Sequence, residues 1–292
     1  MMADNHIRFN VAASQRIFLL ICVTVFFMLA GAVVVGLIMA GGETGVRMRL
    51  ATVAQDILMF IAPALLFAMM VTRKPAEFLM IDRFPSLVTM LLTLALVLAM
   101  VPAMNVIVAW NASLTLPAEL AEVENWLRQA EENASHLISL LIGTHTVGAL
   151  IMALLIVGVL TGLAEEIFFR GMLQRTLVTL PFNAHVSIWI TAFIFSAVHM
   201  QFFGFVPRLL LGALFGYLAF WSGSLWLSVM AHAFNNMCAA SAMWASGDSE
   251  EALINNIGSG GSVSDYVVVA ISLVISVGLL VMIERTTRGN RR

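Results

Sequence analysis

Residues Ile17–Gly41 run for 25 positions without one charged side chain, and seven more stretches of this 292-residue chain read as candidate spans. About 20 mostly apolar residues are what a helix needs to cross a bilayer. In lipid every backbone N–H and C=O must be satisfied within the chain, which leaves helices or closed barrels, and runs of this length suit helices. The candidates are Ile17–Gly41, Ala54–Val71, Leu87–Val108, Leu137–Leu163 running on as a longer helix, Val186–Phe203, Leu209–Trp221, Leu225–Trp244 and Tyr266–Ile283. The expected fold is therefore all-α, a polytopic transmembrane helical bundle of about eight spans forming a single integral membrane domain over residues 1–292. The chain is 61% hydrophobic and only 11% charged, whereas about a quarter of a soluble domain is charged.

Orientation follows from the placement of Lys and Arg, which collect in cytoplasmic loops. Arg8, Arg16, Arg73, Lys74, Arg83, Arg285, Arg288, Arg291 and Arg292 fall on one side of an even-numbered topology, while Arg47, Arg49 and Arg208 fall on the other. The majority predicts both termini in the cytoplasm. The stretch Leu116–His136 reads as an acidic, partly helical outer loop, with Pro117 suited to a first helical turn. The run after the polar segment Met1–Arg16 exceeds the roughly 7–15 residues of a signal-peptide core and reads as a retained span. A net charge of -2 argues against a nucleic-acid partner. Cys22 and Cys238 lie in apolar segments without metal-ligand spacing and read as packing residues.

Against this apolar background the stretch Glu165-Glu166-Ile167-Phe168-Phe169-Arg170 is conspicuous. An ionisable group at membrane depth costs about 2.5–3.5 kcal/mol on insertion scales, so three within six residues imply partners or a task. Glu166 and Arg170 are four apart and share a helix face, which allows a local ion pair; Glu165 lies about 100 degrees around the helix. His199 stands in the fifth candidate span, and His232 and Asn236 share a face of the seventh. If chain reversals lie near Pro181–Asn183, Phe205 and Ser222–Gly223, successive reflection brings Glu165, His199, His232 and Asn236 to one layer. One carboxylate, two imidazoles and an amide at one level suit the activation of water for amide or ester hydrolysis. Glu165 acts as base, the imidazoles bind Zn²⁺ or orient the water, and Asn236 donates to the oxyanion. The zinc motif HExxH is absent, so spacing alone establishes no metal.

Three motifs in order carry a family resemblance: EExxxR at Glu165–Arg170, FxxxH at Phe195–His199 and HxxxN at His232–Asn236. The chain resembles the CPBP intramembrane proteases, which include the CAAX prenyl endopeptidases and bacterial proteins of bacteriocin processing and self-immunity. The resemblance implies catalytic Glu165, His199, His232 and Asn236, supporting Glu166 and Arg170, and a helical bundle open toward the cytoplasm. The family has been described both as zinc enzymes, which would make His199 and His232 ligands with Glu165 nearby, and as metal-free glutamate-dependent enzymes. The motif-bearing core is expected at about residues 137–245, the substrate is expected to be a membrane-associated peptide or protein, and the location a bacterial inner membrane. Two other classes remain open from sequence: a non-catalytic binding protein such as an immunity factor, and a transporter or proton relay. Against the last, no matching pair of Gly/Pro-broken spans occurs in the two halves.

Overall fold

The computed structural model describes residues 9–180, 183–246, 257–258 and 261–289. Arg8, Arg291, Arg292, the Pro181–Phe182 part of the first reversal and most of the loop before Asp265 lie outside the described residues. Within them the chain is helical, with no strand beyond the isolated antiparallel bridge Phe9–Thr72. The helices are α1 (Ala13–Met39), α2 (Gly45–Val71), α3 (Leu87–Ala99), α4 (Val101–Ala112), α5 (Ala121–Ile142), α6 (Val147–Val178), α7 (Ala184–Ala197), α8 (Phe205–Ser222), α9 (Leu225–Ser246) and α10 (Val263–Gly289).

By length and composition α1, α2, α6, the Phe202–Ser222 helix and α10 suffice to cross a membrane, and α3 with α4 makes a sixth if their 45° bend is one span. Eight were expected. The two remaining candidates differ for distinct reasons. α7 has only 14 residues, and its successor segment is a turn through Met200, which takes φ 55°. α9 is long enough at 22 residues, but Ser228, His232, Asn235 and Asn236 dilute its apolar character. The expected fourth span, Leu137–Leu163, divides at Gly143, whose φ of 79° suits a residue without a Cβ. Leu137–Ile142 thus closes the amphipathic α5, and the apolar helix begins afresh at Val147, where Thr146 accepts from the Ala149 N–H. The sixth candidate, short in sequence, is the full 18-residue α8.

α6 is the axis of the bundle, and small residues let its neighbours approach it. Where helices associate in lipid, close packing replaces the hydrophobic drive, so glycines concentrate at contacts. Gly158 and Gly162 of α6 lie against Met237 and Ala233 of α9, and a Cβ on Gly162 would sit 3.0 Å from the Ala233 backbone. Gly212 and Gly216 of α8 do the same against Ala192 and Ile188 of α7. α2 seals a further side of α6 through Phe60, whose ring meets Phe168 edge-on at 5.5 Å and Phe169 at 6.0 Å. We expect Gly162→Val to overpack the α6–α9 contact by about 1–3 kcal/mol. A lowered thermal midpoint in detergent, with cleavage activity lost in parallel, is the result that checks it.

α5 lies across one end of the bundle and grips the turn that follows α7. Glu131 accepts from Gln201 Nε2 and the Phe203 N–H, both at 3.0 Å, and Arg128 stacks over the Phe203 ring at 4.2 Å. Asn111 of α4 accepts from the Val206 N–H at 2.7 Å, and Arg208 donates to Gln201 Oε1 at 2.7 Å. Four side chains from three helices therefore fix the short turn between α7 and α8 and the first residues of α8.

Candidate active site

The site forms where α6, α8, α9 and the turn after α7 meet. Two turns of α6, Leu154–Thr161 and Ile167–Gln174, are π-helical, and the five residues Gly162–Glu166 between them are α-helical. Such wide turns recur at functional sites because they redirect side chains that a regular helix would space evenly. Here they bracket Glu165 and Glu166.

Glu166 and Arg170 are both fully buried and paired, as their four-residue spacing predicts, with Arg170 Nη1 donating to Glu166 Oε1 at 2.5 Å. Arg170 Nη2 donates to the Gly212 carbonyl of α8 at 2.9 Å, and one turn on Gln174 Nε2 donates to the Gly216 carbonyl at 3.0 Å. The guanidinium also faces the rings of Phe195 at 4.6 Å and Phe215 at 5.4 Å, a favourable setting for a buried cation. The pair that the spacing allows is not self-contained. His232 Nδ1 lies 2.9 Å from the same Glu166 Oε1. A carboxylate held by an arginine accepts, so Nδ1 carries the proton and Nε2 presents its lone pair. The imidazole is fixed in the other dimension by stacking on Phe215 at 4.8 Å and 18° and by an edge contact with Phe195 at 5.8 Å.

His232 Nε2 faces Glu165 Oε2 across 3.7 Å. That gap is too long for a hydrogen bond and is the kind of separation a bridging water spans. Glu165 is 8% exposed and His232 4%, so the gap lies in a nearly closed interior. His199 stands in the turn after α7, half-buried, rather than inside a helix as expected. Its Nδ1 lies 2.7 Å from the Phe195 carbonyl, which can only accept, so Nδ1 again carries the proton and Nε2 is left available. Glu165, His232 and Arg208 all lie within electrostatic reach of His199, although no hydrogen bond joins it to them. Asn236 is turned toward α6, its Nδ2 donating to the Val157 carbonyl at 3.2 Å. The structure thus brings Glu165, Glu166, Arg170 and His232 into direct contact, sets His199 beside them, and places Asn236 one turn along α9 from His232.

Among the described residues no three His, Cys, Asp or Glu side chains converge closely enough to hold a metal ion. His199, His232 and Glu165 therefore do not fit a zinc ion in this arrangement, and no chemical step below is routed through one. A cavity of about 910 Å³ reaches Arg170 and Gln174 from the end of the bundle that carries Lys74 and Arg83, and neither Glu165 nor His232 lines it.

Sequence reasoning passed over two features. One is the set of residues that hold the His199 turn, Asn111, Glu131 and Arg208, which no local pattern signals. The other is Asp56, an acid inside the second apolar run that is fully buried in α2. Its signal was the one applied to Glu165, an ionisable side chain at membrane depth.

Residues 147–238 match the family model described as Type II CAAX prenyl endopeptidase Rce1-like. The match starts at the first residue of α6, ends two residues past Asn236, and so takes in all three motifs. Over those residues the chain is similar to the Rce1-like family, consistent with the CPBP resemblance. No curated protein and no solved structure matches the chain. The Rce1-like family is a protease family, and together with the long apolar helices the match supports a membrane-embedded endopeptidase and an integral membrane location.

Proposed function

We propose that the chain is an intramembrane endopeptidase that cleaves a membrane-associated peptide or protein with a water activated by Glu165. The observation that carries this reading is the 3.7 Å gap between Glu165 Oε2 and His232 Nε2, with the far side of the imidazole fixed by Glu166. A water in that gap would donate one proton to each acceptor. As its oxygen attacks the scissile carbonyl, Glu165 takes the proton, and the new C–O bond drives charge onto the carbonyl oxygen. The second amide N–H of Asn236, not engaged by Val157, is the group suited to receive that oxyanion, and His199 lines the site beside Glu165 and His232. Collapse breaks the C–N bond, and the proton on Glu165 passes to the leaving amine, which restores the carboxylate. Burial favours this chemistry by excluding bulk water that would screen the charges. Both termini would then be cytoplasmic and the membrane a bacterial inner membrane, as the Lys/Arg distribution and the style of the chain suggest.

The test is cleavage of membrane-anchored peptides by the purified chain in lipid, followed by mass spectrometry of the products. Cleavage that survives Glu165→Gln or His232→Ala would sink the proposal; binding of peptide with no cleavage by the parent chain would favour a non-catalytic immunity role. Because the side chains do not converge on a metal, we expect chelation to change activity by less than about twofold, given that metal-bound water supplies the nucleophile in zinc hydrolases and its removal is severe. Activity that falls with chelator and returns with added zinc would reverse that expectation.

A further inference from the structure

Asp56 opens the π-helical turn Asp56–Ile61 of α2 and is fully buried. The single proton of the Thr161 hydroxyl is shared between Asp56 Oδ2 at 2.7 Å and the Ile156 carbonyl at 3.0 Å, five residues back across the π turn of α6. Asp56 Oδ1 is buried and has no hydrogen-bond partner among the described residues. Glu165 follows Thr161 by one helical turn on the same face, and Asp56 and Glu165 lie within electrostatic reach of one another. One net hydrogen bond returns less than burying a carboxyl at membrane depth costs, so packing stability does not account for an acid here. An amide would serve worse, since its two donors would need acceptors where the carboxyl already leaves an oxygen unpaired.

We infer that Asp56 is a positioning residue for Glu165: through the Thr161 hydroxyl it locks the wide turn of α6 that leads into the α-helical segment carrying the general base. The inference rests on the endopeptidase reading for its consequence, not for its geometry. Without the lock the π turn is free to relax toward regular helix, which rotates Glu165 away from His232. A displacement of about 1 Å at a reacting group is enough to cost about 100-fold in rate.

The experiment uses the full chain in lipid with a cleaved membrane peptide as substrate. Thr161→Val keeps the side-chain shape and removes only the hydroxyl, while Thr161→Ser keeps the hydroxyl. We expect Thr161→Val and Asp56→Ala each to lower kcat by about 10- to 100-fold at unchanged KM. Thr161→Ser should stay within about threefold of the parent, and the Asp56→Ala/Thr161→Val pair should be no worse than the poorer single variant, as expected for two ends of one interaction. In parallel, the infrared band of the Glu165 carboxyl, assigned by its disappearance in Glu165→Gln, should shift in Thr161→Val and Asp56→Ala but not in Thr161→Ser. A Thr161→Val enzyme as fast as the parent, multiplicative losses in the pair, or an unmoved infrared band would overturn the inference. A chain that cleaves nothing overturns the endopeptidase reading instead, and the infrared band still decides whether Asp56 and Thr161 set the state of Glu165. Should Asp56→Ala fail to fold, the isosteric Thr161→Val alone carries the decision.

Discussion

Glu165→Gln is expected to lower kcat by about 100- to 10,000-fold, the range that a positioned general base contributes, with KM little changed. The amide occupies nearly the volume of the carboxylate and can still touch a water beside His232, but it cannot take a proton from it. Folding should therefore survive: among the described residues Glu165 makes no hydrogen bond in the buried network, and the His232 ring lies 3.7 Å away. Steady-state cleavage at saturating peptide, alongside a thermal melt in detergent, separates the two properties. A variant retaining a tenth or more of parental kcat would show that the water is activated elsewhere.

Arg170→Ala should damage folding and activity together. The guanidinium is fully buried and bridges α6 to α8 through Glu166 and the Gly212 carbonyl. Its removal strands Glu166 at membrane depth, where breaking a buried pair costs about 3–5 kcal/mol. It also loosens His232, because Glu166 Oε1 holds the Nδ1 side of that ring. Arg170→Lys should recover part of the stability but little activity, since an ammonium cannot serve Glu166 and Gly212 in the forked geometry of a guanidinium. Unchanged thermal unfolding in detergent for Arg170→Ala would show that Glu166 finds another partner. If Arg170→Ala instead unfolds the chain in lipid, the milder Glu166→Gln isolates the effect on His232: melting near the parent value with a reduced kcat is the expected pattern.

The all-helical membrane class was legible because it depends on run length and composition, and both are local. Boundaries were less so. The apolar stretch beginning at Leu137 continues in sequence across Gly143, yet the positive φ there ends one helix, and Leu137–Ile142 belongs to the amphipathic α5. His199 reads as part of a span because Val186–Phe203 is mostly apolar, whereas the turn at Met200 is set by Glu131, Asn111 and Arg208 from other elements. Reflection about the turns brought Glu165, His199 and His232 to one level, and these three do lie together; the same reasoning carried no information about which oxygen meets which nitrogen. It also treated Asp56 as part of an apolar run, since one acid in a span shifts mean hydropathy little.

By itself the sequence determined a chain of apolar helices, because run length and composition are local, and the spacing that lets Glu166 and Arg170 pair, because helix periodicity places neighbours four residues apart on one face. Only the tertiary structure decided that Glu166 also holds His232, 66 residues away, that Glu165 faces the free nitrogen of that ring, and that Asp56 meets Thr161 across 105 residues. Those partners are joined by the close approach of helices at Gly158, Gly162 and Gly212 and by π turns that reset side-chain direction. No local pattern encodes such contacts, since they depend on how several helices pack at once.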